Sequence, residues 1–250
     1  MTTALSLESS VRSDIGPVRA NNEDAAFATP RLAAIADGVG GAAAGEVASR
    51  AAINALVALD KRRLDRPLPE ALGAAVAAGN ASIGFISSCR PQTAGMSTTL
   101  TAVALGDDGY AVANVGDSRA YLLREGALRQ VTRDDSLVQR LLDSGALTPE
   151  EARRHPQRSL VVEALDGDPE RTAPAVATLA ARPGDRLLLC SDGLSDSVDD
   201  DAIAGTLRIR DRDACAEALV ALALEAGARD NVSVVVADVV ARRDPRAGWD

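Results

Sequence analysis

The sequence predicts a single α+β domain in which antiparallel sheets and helices lie in layers. Three observations carry this expectation. First, apolar runs are joined by tight-turn dipeptides. Asp108-Gly109 links 97–105 to 110–115, and Glu125-Gly126 follows 119–123. Strands so closely joined pair antiparallel, because parallel neighbours need a crossover of a dozen or more residues. Second, helical periodicity comes in blocks, at about 45–88, 135–154 and 199–227, instead of alternating singly with strands. Third, 250 residues that are 46% apolar are enough for one large core, although aromatics supply only 2%. Ala, Val, Leu and Ile must build it.

Along the chain, apolar residues recur at three- and four-residue spacing over 45–59 and again over 69–87. A polar stretch, 61–66, and Pro67 separate these two Ala-rich helices. Extended runs occupy 32–36, 97–105, 110–115, 119–123, 186–190 and 232–237. In Thr148-Pro-Glu-Glu151, Thr148 is a helix cap, Pro149 takes the first helical position and Glu151 completes a capping box.

Lys plus Arg is 27 and Asp plus Glu is 36, a formal net charge of −9. That balance argues against a duplex DNA or anionic-membrane binder, whose affinity rests on cationic side chains. Cys89, Cys190 and Cys215 are odd in number and never form CxxC, so they are expected as small buried hydrophobes in a reducing compartment. There is no secretory signal at the N-terminus, and no window comes near the ~18 apolar residues a bilayer span needs, so a cytoplasmic chain is expected. The one histidine, His155, sits in the polar run Arg153-Arg-His-Pro156 and is expected at a helix end or on the surface. Any metal chemistry must therefore use oxygen ligands.

Carboxylates stand at the mouths of apolar strands. The run 32–36 leads into Asp37-Gly38, the run 186–190 into Ser191-Asp192-Gly193, and Asp230-Asn231 precedes the run from Val232. Carboxylates brought together there repel one another, and a hard divalent ion such as Mg²⁺ or Mn²⁺ relieves that repulsion. A rival reading takes Gly38-Val-Gly40-Gly-Ala-Ala43 with Asp60 as a dinucleotide fingerprint, but Leu59-Asp-Lys-Arg-Arg-Leu64 reads as a charged helix end, not a second strand.

Seven strings, in order, resemble the metal-dependent Ser/Thr protein phosphatases of the PPM (PP2C-like) family, bacterial branch. They are Ser13-Asp-Ile-Gly16 with Arg19-Ala-Asn-Asn-Glu-Asp24, Ala36-Asp-Gly-Val-Gly-Gly41, Gly45-Glu-Val-Ala-Ser49, Gly95-Met-Ser-Thr-Thr-Leu100, Asn114-Val-Gly-Asp-Ser-Arg119, Ser191-Asp-Gly-Leu-Ser-Asp196 and Ala228-Arg-Asp-Asn-Val232. The resemblance covers 11–240, leaving 1–10 as an N-terminal segment and 241–250 as a tail. It implies a four-layer αββα sandwich of two antiparallel β-sheets flanked by helices.

The resemblance also implies roles. Asp37 would bridge two Mn²⁺ or Mg²⁺ ions, with the Gly38 carbonyl on the second and Asp192 and Asp230 completing the first. Asp117 with Asp192 would hold a possible third ion, near Asp196. Glu23 and Asp24 would act through water outside the shell, and Arg19 would grip the substrate phosphate. The implied reaction is hydrolysis of phosphoserine or phosphothreonine by a water between the ions, reversing a bacterial Ser/Thr kinase, by a monomer whose partners are phosphorylated proteins. Three positions depart from the family pattern. Val39, Ala42 and Asp135 stand where histidines occur in relatives, which leaves water or His155 to protonate the leaving group. The stretch 132–159 matches the family's mobile flap. A binding module that keeps the sandwich without turnover is the alternative, and loss of Asp37, Asp192 or Asp230 would have favoured it.

Overall fold

The computed structural model describes residues 4–39, 44–60, 66–107, 109–170 and 174–242. Two five-stranded antiparallel sheets lie face to face. The first contains β1 (Leu5–Asp14), β6 (Arg119–Arg124), β7 (Ala127–Gln130), β9 (Arg186–Cys190) and β10 (Val232–Ala241), in the order β1-β10-β9-β6-β7. The second contains β2 (Ala25–Ala28), β3 (Leu32–Ala36), β4 (Leu100–Gly106), β5 (Gly109–Val115) and β8 (Ala175–Leu179), in the order β2-β3-β4-β5-β8. The helices are α1 (Gly45–Asp60), α2 (Leu68–Cys89), α3 (Leu137–Asp143), α4 (Pro149–Arg153), α5 (Asp192–Ser195), α6 (Asp200–Thr206) and α7 (Arg212–Glu225).

Period-two alternation sorts each strand's side chains between two layers. In β3, Ala33 and Ile35 face the other sheet, while Leu32, Ala34 and Ala36 pack with Ala52, Leu56, Leu72 and Val76 of α1 and α2. In β10, Val235, Ala237 and Val239 face between the sheets, while Val232, Val234 and Val236 pack with Cys215, Leu219 and Ala223 of α7. Helices, sheet, sheet and helices make the four expected layers.

Several expectations are refined. The strand beginning at Leu5 pairs with β10 along its whole length, so residues 5–10, expected to precede the domain, belong to its sheet. Its sequence, LSLESSVRSD, mixes Ser, Glu and Arg among the apolar residues and hides the alternation. β2 (AAFA) and β8 (AVATL) are short and carry no clear alternation, and are not legible in the sequence either. Glu125 and Gly126 both take positive φ, as a type I′ turn requires, and join β6 to β7. The β4–β5 hairpin forms as expected, with Asp108 of its turn outside the described residues. Cys190 and Cys215 are buried, but Cys89, at the end of α2, is exposed. By length and composition α2 could cross a bilayer, contrary to the expectation that no window would. It is a core helix here, with Leu72, Val76 and Ile83 buried against the second sheet. α1 ends at Asp60, whose carboxylate accepts from Thr29 Oγ1 at 3.0 Å. A helix end in an antiparallel layer removes the dinucleotide reading, although Gly40–Ala43 themselves lie outside the described residues.

The register fixes where the strand mouths meet. The end of β3 lies beside the start of β4, Leu100 pairs with Val115, Arg119 with Cys190, Cys190 with Val234, and Val232 with Asp14. Every mouth named from the sequence therefore opens at one edge of the sandwich.

At the opposite edge the two sheets are joined by buried Asp185. It accepts from Tyr110 Oη of β5 at 2.7 Å, from Arg124 Nε and Nη2 of β6 at 2.6 and 2.7 Å, and from the Arg182 amide at 2.8 Å. Burial opposes its ionisation, yet these bonds hold its pKa below the ordinary carboxylate value. A depressed folded pKa means that the stabilisation is fully present above the unfolded value, about 3.9, and is lost as pH falls through the folded one. Asp185→Asn should cost about 3 kcal/mol at neutral pH. Thermal melts between neutral and strongly acidic pH should show that gap closing below about pH 4. A gap independent of pH would contradict this account.

Candidate metal centre

The strand mouths are brought together by close backbone approaches. Gly38 lies so near the start of α1 that an added Cβ would sit 2.5 Å from the Gly45 carbonyl carbon. Gly193 packs on the strand opposite, where a Cβ would fall 2.1 Å from the Asn231 carbonyl oxygen. The glycine after each aspartate thus lets the neighbouring backbone reach the carboxylate's mouth.

Asp37 is fixed through its main chain. Its amide donates to Thr99 Oγ1 at 3.0 Å, and its carbonyl accepts from Thr99 N and Thr98 Oγ1, both at 2.8 Å. The predicted strand 97–105 begins at Leu100 because residues 97–99 leave the ladder for this work. The loop carrying Arg19, Glu23 and Asp24 is tied down by Asn231, a positioning residue missed from the sequence. Asn231 Nδ2 donates to the carbonyls of Ile15 and Asn21 at 2.8 and 3.0 Å, and its Oδ1 accepts from Glu23 N at 2.8 Å. Nothing in the sequence marks those partners, which lie more than two hundred residues away in the chain.

The carboxylates of Asp24 and Asp37 are neighbours, and the charge of Asp24 acts on Asp37. Asp24 Oδ2 accepts from Ser191 Oγ at 3.0 Å. Burial, and then the charges of Asp24, Asp192, Asp117 and Asp230, push Asp37 well above the ordinary carboxylate range. Asp192 is raised likewise by burial and then by Asp117, Asp196, Asp230 and Asp24. Burial lifts Asp24 to about 6, against the hydrogen bonds from Ser233 and Ser191. Burial, then Asp134 and Asp196, lift Asp117 to about 7. Asp24 Oδ1 and Asp192 Oδ1 are buried without a hydrogen-bond partner. Oxygen donors left without a proton donor, in a cluster that resists its own charge, fit a hard divalent cation.

The groups are neighbours, not a closed ligand shell: among the described residues no three acidic, histidine or cysteine side chains converge on one point. Asp230 is turned aside, accepting from Arg19 Nη2 at 2.5 Å, while its other oxygen accepts from the Asn231 amide at 2.8 Å. Glu23 packs against Gly45 and accepts from Asn21 Nδ2. Asp196, just after α5, accepts from Ser159 Oγ at 2.7 Å. Of the positions that depart from the family pattern, Asp135 accepts from the Gly116 amide at 3.0 Å and Val39 donates from its amide to the Ser97 carbonyl, while Ala42 lies outside the described residues. His155 lines a different cavity, with Leu147, Glu151 and Pro156, from the one lined by Asp117 and Asp192.

Gly193→Ala should destabilise the fold by about 3 kcal/mol, because the Cβ meets a backbone atom that cannot swing away. Chemical denaturation measures this directly. A loss within about 0.5 kcal/mol would show that the strand mouths do not depend on the approach.

Comparison with known proteins accords with this geometry. The family model described as protein phosphatase 2C matches residues 19–222. The chain is 51% identical over 236 residues to the serine/threonine protein phosphatase PstP of Mycobacterium tuberculosis, covering 94% of this chain and 46% of PstP. It thus spans about half the length of that relative. It is 34% identical over 242 residues to the protein phosphatase PhpP of Streptococcus pneumoniae, covering 92% of this chain and 96% of PhpP. The crystal structure of the PstP catalytic domain in complex with two manganese ions superposes with a TM-score of 0.88 at 48% identity, covering 95% of this chain and all of that one. With its fold, its strand-mouth carboxylates and these likenesses in agreement, the chain belongs to the protein phosphatase 2C family.

Proposed function

We propose that this chain hydrolyses phosphoserine and phosphothreonine in proteins, in a reaction that depends on Mn²⁺ or Mg²⁺. The observation that carries this reading is the gathering of Asp24, Asp37, Asp117, Asp192 and Asp230 at one sandwich edge, with buried carboxylate oxygens unpartnered and a guanidinium beside them. PstP, bound to two manganese ions in its crystal structure, supports the choice of cation.

Asp37 would be shared between two cations, the second also held by the Gly38 carbonyl and the first by Asp192 and Asp230. Asp117 and Asp192 would hold a third, with Asp196 nearby, and Glu23 and Asp24 would act through water around them. Cations so held would neutralise the phosphoryl oxygens and acidify an attacking water for in-line displacement. Arg19, partly exposed and already bonded at the rim through Asp230, offers a planar fork to the phosphate and adds positive charge where the transition state is negative. Thr98, Thr99 and Asn231 hold the carboxylates in place, so that little reorganisation accompanies the chemistry. The side-chain inventory supplies no histidine at the centre, which leaves solvent to protonate the leaving oxygen.

On this reading the partners are phosphorylated proteins, a Ser/Thr kinase among them, and the enzyme signals as a cytoplasmic monomer without a membrane span or nucleic acid. The net charge of −9 supports the last point. The phosphatase region takes in 11–240 together with residues 5–10 of β1, with 132–159 as a flap over the site.

Asp37→Asn and Asp192→Asn should each abolish Mn²⁺-dependent turnover of p-nitrophenyl phosphate, as EDTA does for the wild type, while the circular dichroism spectrum stays native. Wild-type-like turnover by either variant would sink the assignment.

A further inference from the structure

Asn80 is a buried amide on the core-facing side of α2, at helical spacing from Val76 and Ile83. A polar group there is costly unless its hydrogen bonds are made. Both leave the helix for one loop. Asn80 Oδ1 accepts from the Gly167 amide at 2.8 Å, and its Nδ2 donates to the Asp168 carbonyl at 2.9 Å. One turn further along α2 the same loop presses on Gly84, where an added Cβ would lie 2.7 Å from the Gly167 carbonyl oxygen. Gly167 itself takes a φ of +93°, and a Cβ there would fall 2.5 Å from the Gly84 Cα.

The anchored loop leads straight to the carboxylate cluster. Leu165 is buried, and it exchanges both backbone hydrogen bonds with Thr98, at 2.8 and 3.0 Å. Thr98 bridges in turn to Gly38, and its Oγ1 donates to the Asp37 carbonyl at 2.8 Å. Gly38, Thr98 and Leu165 therefore form the rungs of a short ladder beyond the ends of β3 and β4. Leu165 is the outer rung, and Asn80 pins the loop that follows it.

From this geometry we infer that Asn80 is a positioning residue for the metal centre. It holds the outer rung, the outer rung holds Thr98, and Thr98 holds the main chain of Asp37. On the phosphatase reading above, on which this inference rests, Asp37 is shared between two cations. A shift of its main chain therefore disturbs both positions at once. Support of this kind, one step removed from the ligands, tunes how well a site holds its metal.

Calorimetric titration of the folded protein with Mn²⁺ tests this. Asn80→Ala should weaken Mn²⁺ binding by about ten-fold, the low end of what losing such a support costs a metal site. Asp185→Asn lowers stability at the opposite edge without touching the ladder, and should keep Kd within about two-fold of the wild type. Asn80→Asp keeps the side chain's size and the acceptor for Gly167 but loses the donor to Asp168. It should fold and weaken binding less than Asn80→Ala does. Thr98→Val removes the hydroxyl bond to Asp37. Combined with Asn80→Ala, it should weaken binding by less than the product of the two single effects, because both act along one path. In EDTA, the amides of Thr98 and Leu165 should exchange hydrogen faster in Asn80→Ala than in the wild type, while those of β1 keep their rates. Wild-type Mn²⁺ affinity in either Asn80 variant, an equal loss in Asp185→Asn, or fully multiplicative effects would overturn the inference while leaving phosphate release by the wild type intact. A wild type that binds no Mn²⁺ and releases phosphate from neither a phosphothreonine peptide nor p-nitrophenyl phosphate refutes the phosphatase reading and this inference with it.

Discussion

Repulsion among crowded, half-buried to buried carboxylates is the constraint on which the rest of this structure turns. Asp24, Asp37, Asp117 and Asp192 sit at one edge of a sandwich, each with its ionised form disfavoured by burial and by its neighbours. A fold can hold such an arrangement only where the scaffold is fixed independently of the cluster. Here that scaffold consists of three apolar layers, with β3, β9 and β10 buried on both faces. The glycines at 38 and 193 allow the backbones to close, and Asn231 and the threonine pair 98–99 clamp the loop and strand that carry the charges. The cost falls on stability and the benefit on chemistry, a division typical of functional sites.

What could be read from the sequence follows from locality. The runs 32–36 and 186–190 are continuously apolar and each ends at or just before an aspartate-glycine pair, so strand, burial and carboxylate were legible together, and the structure gives β3 and β9 the same limits. The capping box of α4 was legible because its two partners lie three residues apart. β1 was not, since Leu7 is its one buried apolar residue and the other two buried residues, Ser6 and Ser10, are polar. Asn231 was visible as a residue but not as a clamp, because its bonds span the whole chain. The contact between Asp24 and Asp37 depends on β2 pairing with β3, and the four residues of β2 gave no periodic signal.

The scarcity of histidine takes on a definite meaning in three dimensions. His155 lies beyond the end of α4 and lines a cavity other than that of Asp117 and Asp192, and Asp135 is engaged with the backbone at Gly116. The centre is therefore built wholly of oxygen donors and one guanidinium. Although the chain carries a net charge of −9, the edge where these carboxylates gather also presents the guanidinium of Arg19. Overall charge and the field met by a substrate are different quantities in this molecule.

The central claim, that the carboxylate cluster opposes folding until a divalent cation relieves it, is tested most directly by thermal unfolding of the wild type and Asp37→Asn at neutral pH, each in EDTA and in excess Mn²⁺. The account predicts that the variant is the more stable of the two in EDTA. It predicts further that Mn²⁺ stabilises the wild type by about 2–3 kcal/mol at a hundred-fold excess over Kd, and stabilises the variant far less. A wild type that is more stable than the variant in EDTA and does not respond to Mn²⁺ would contradict it.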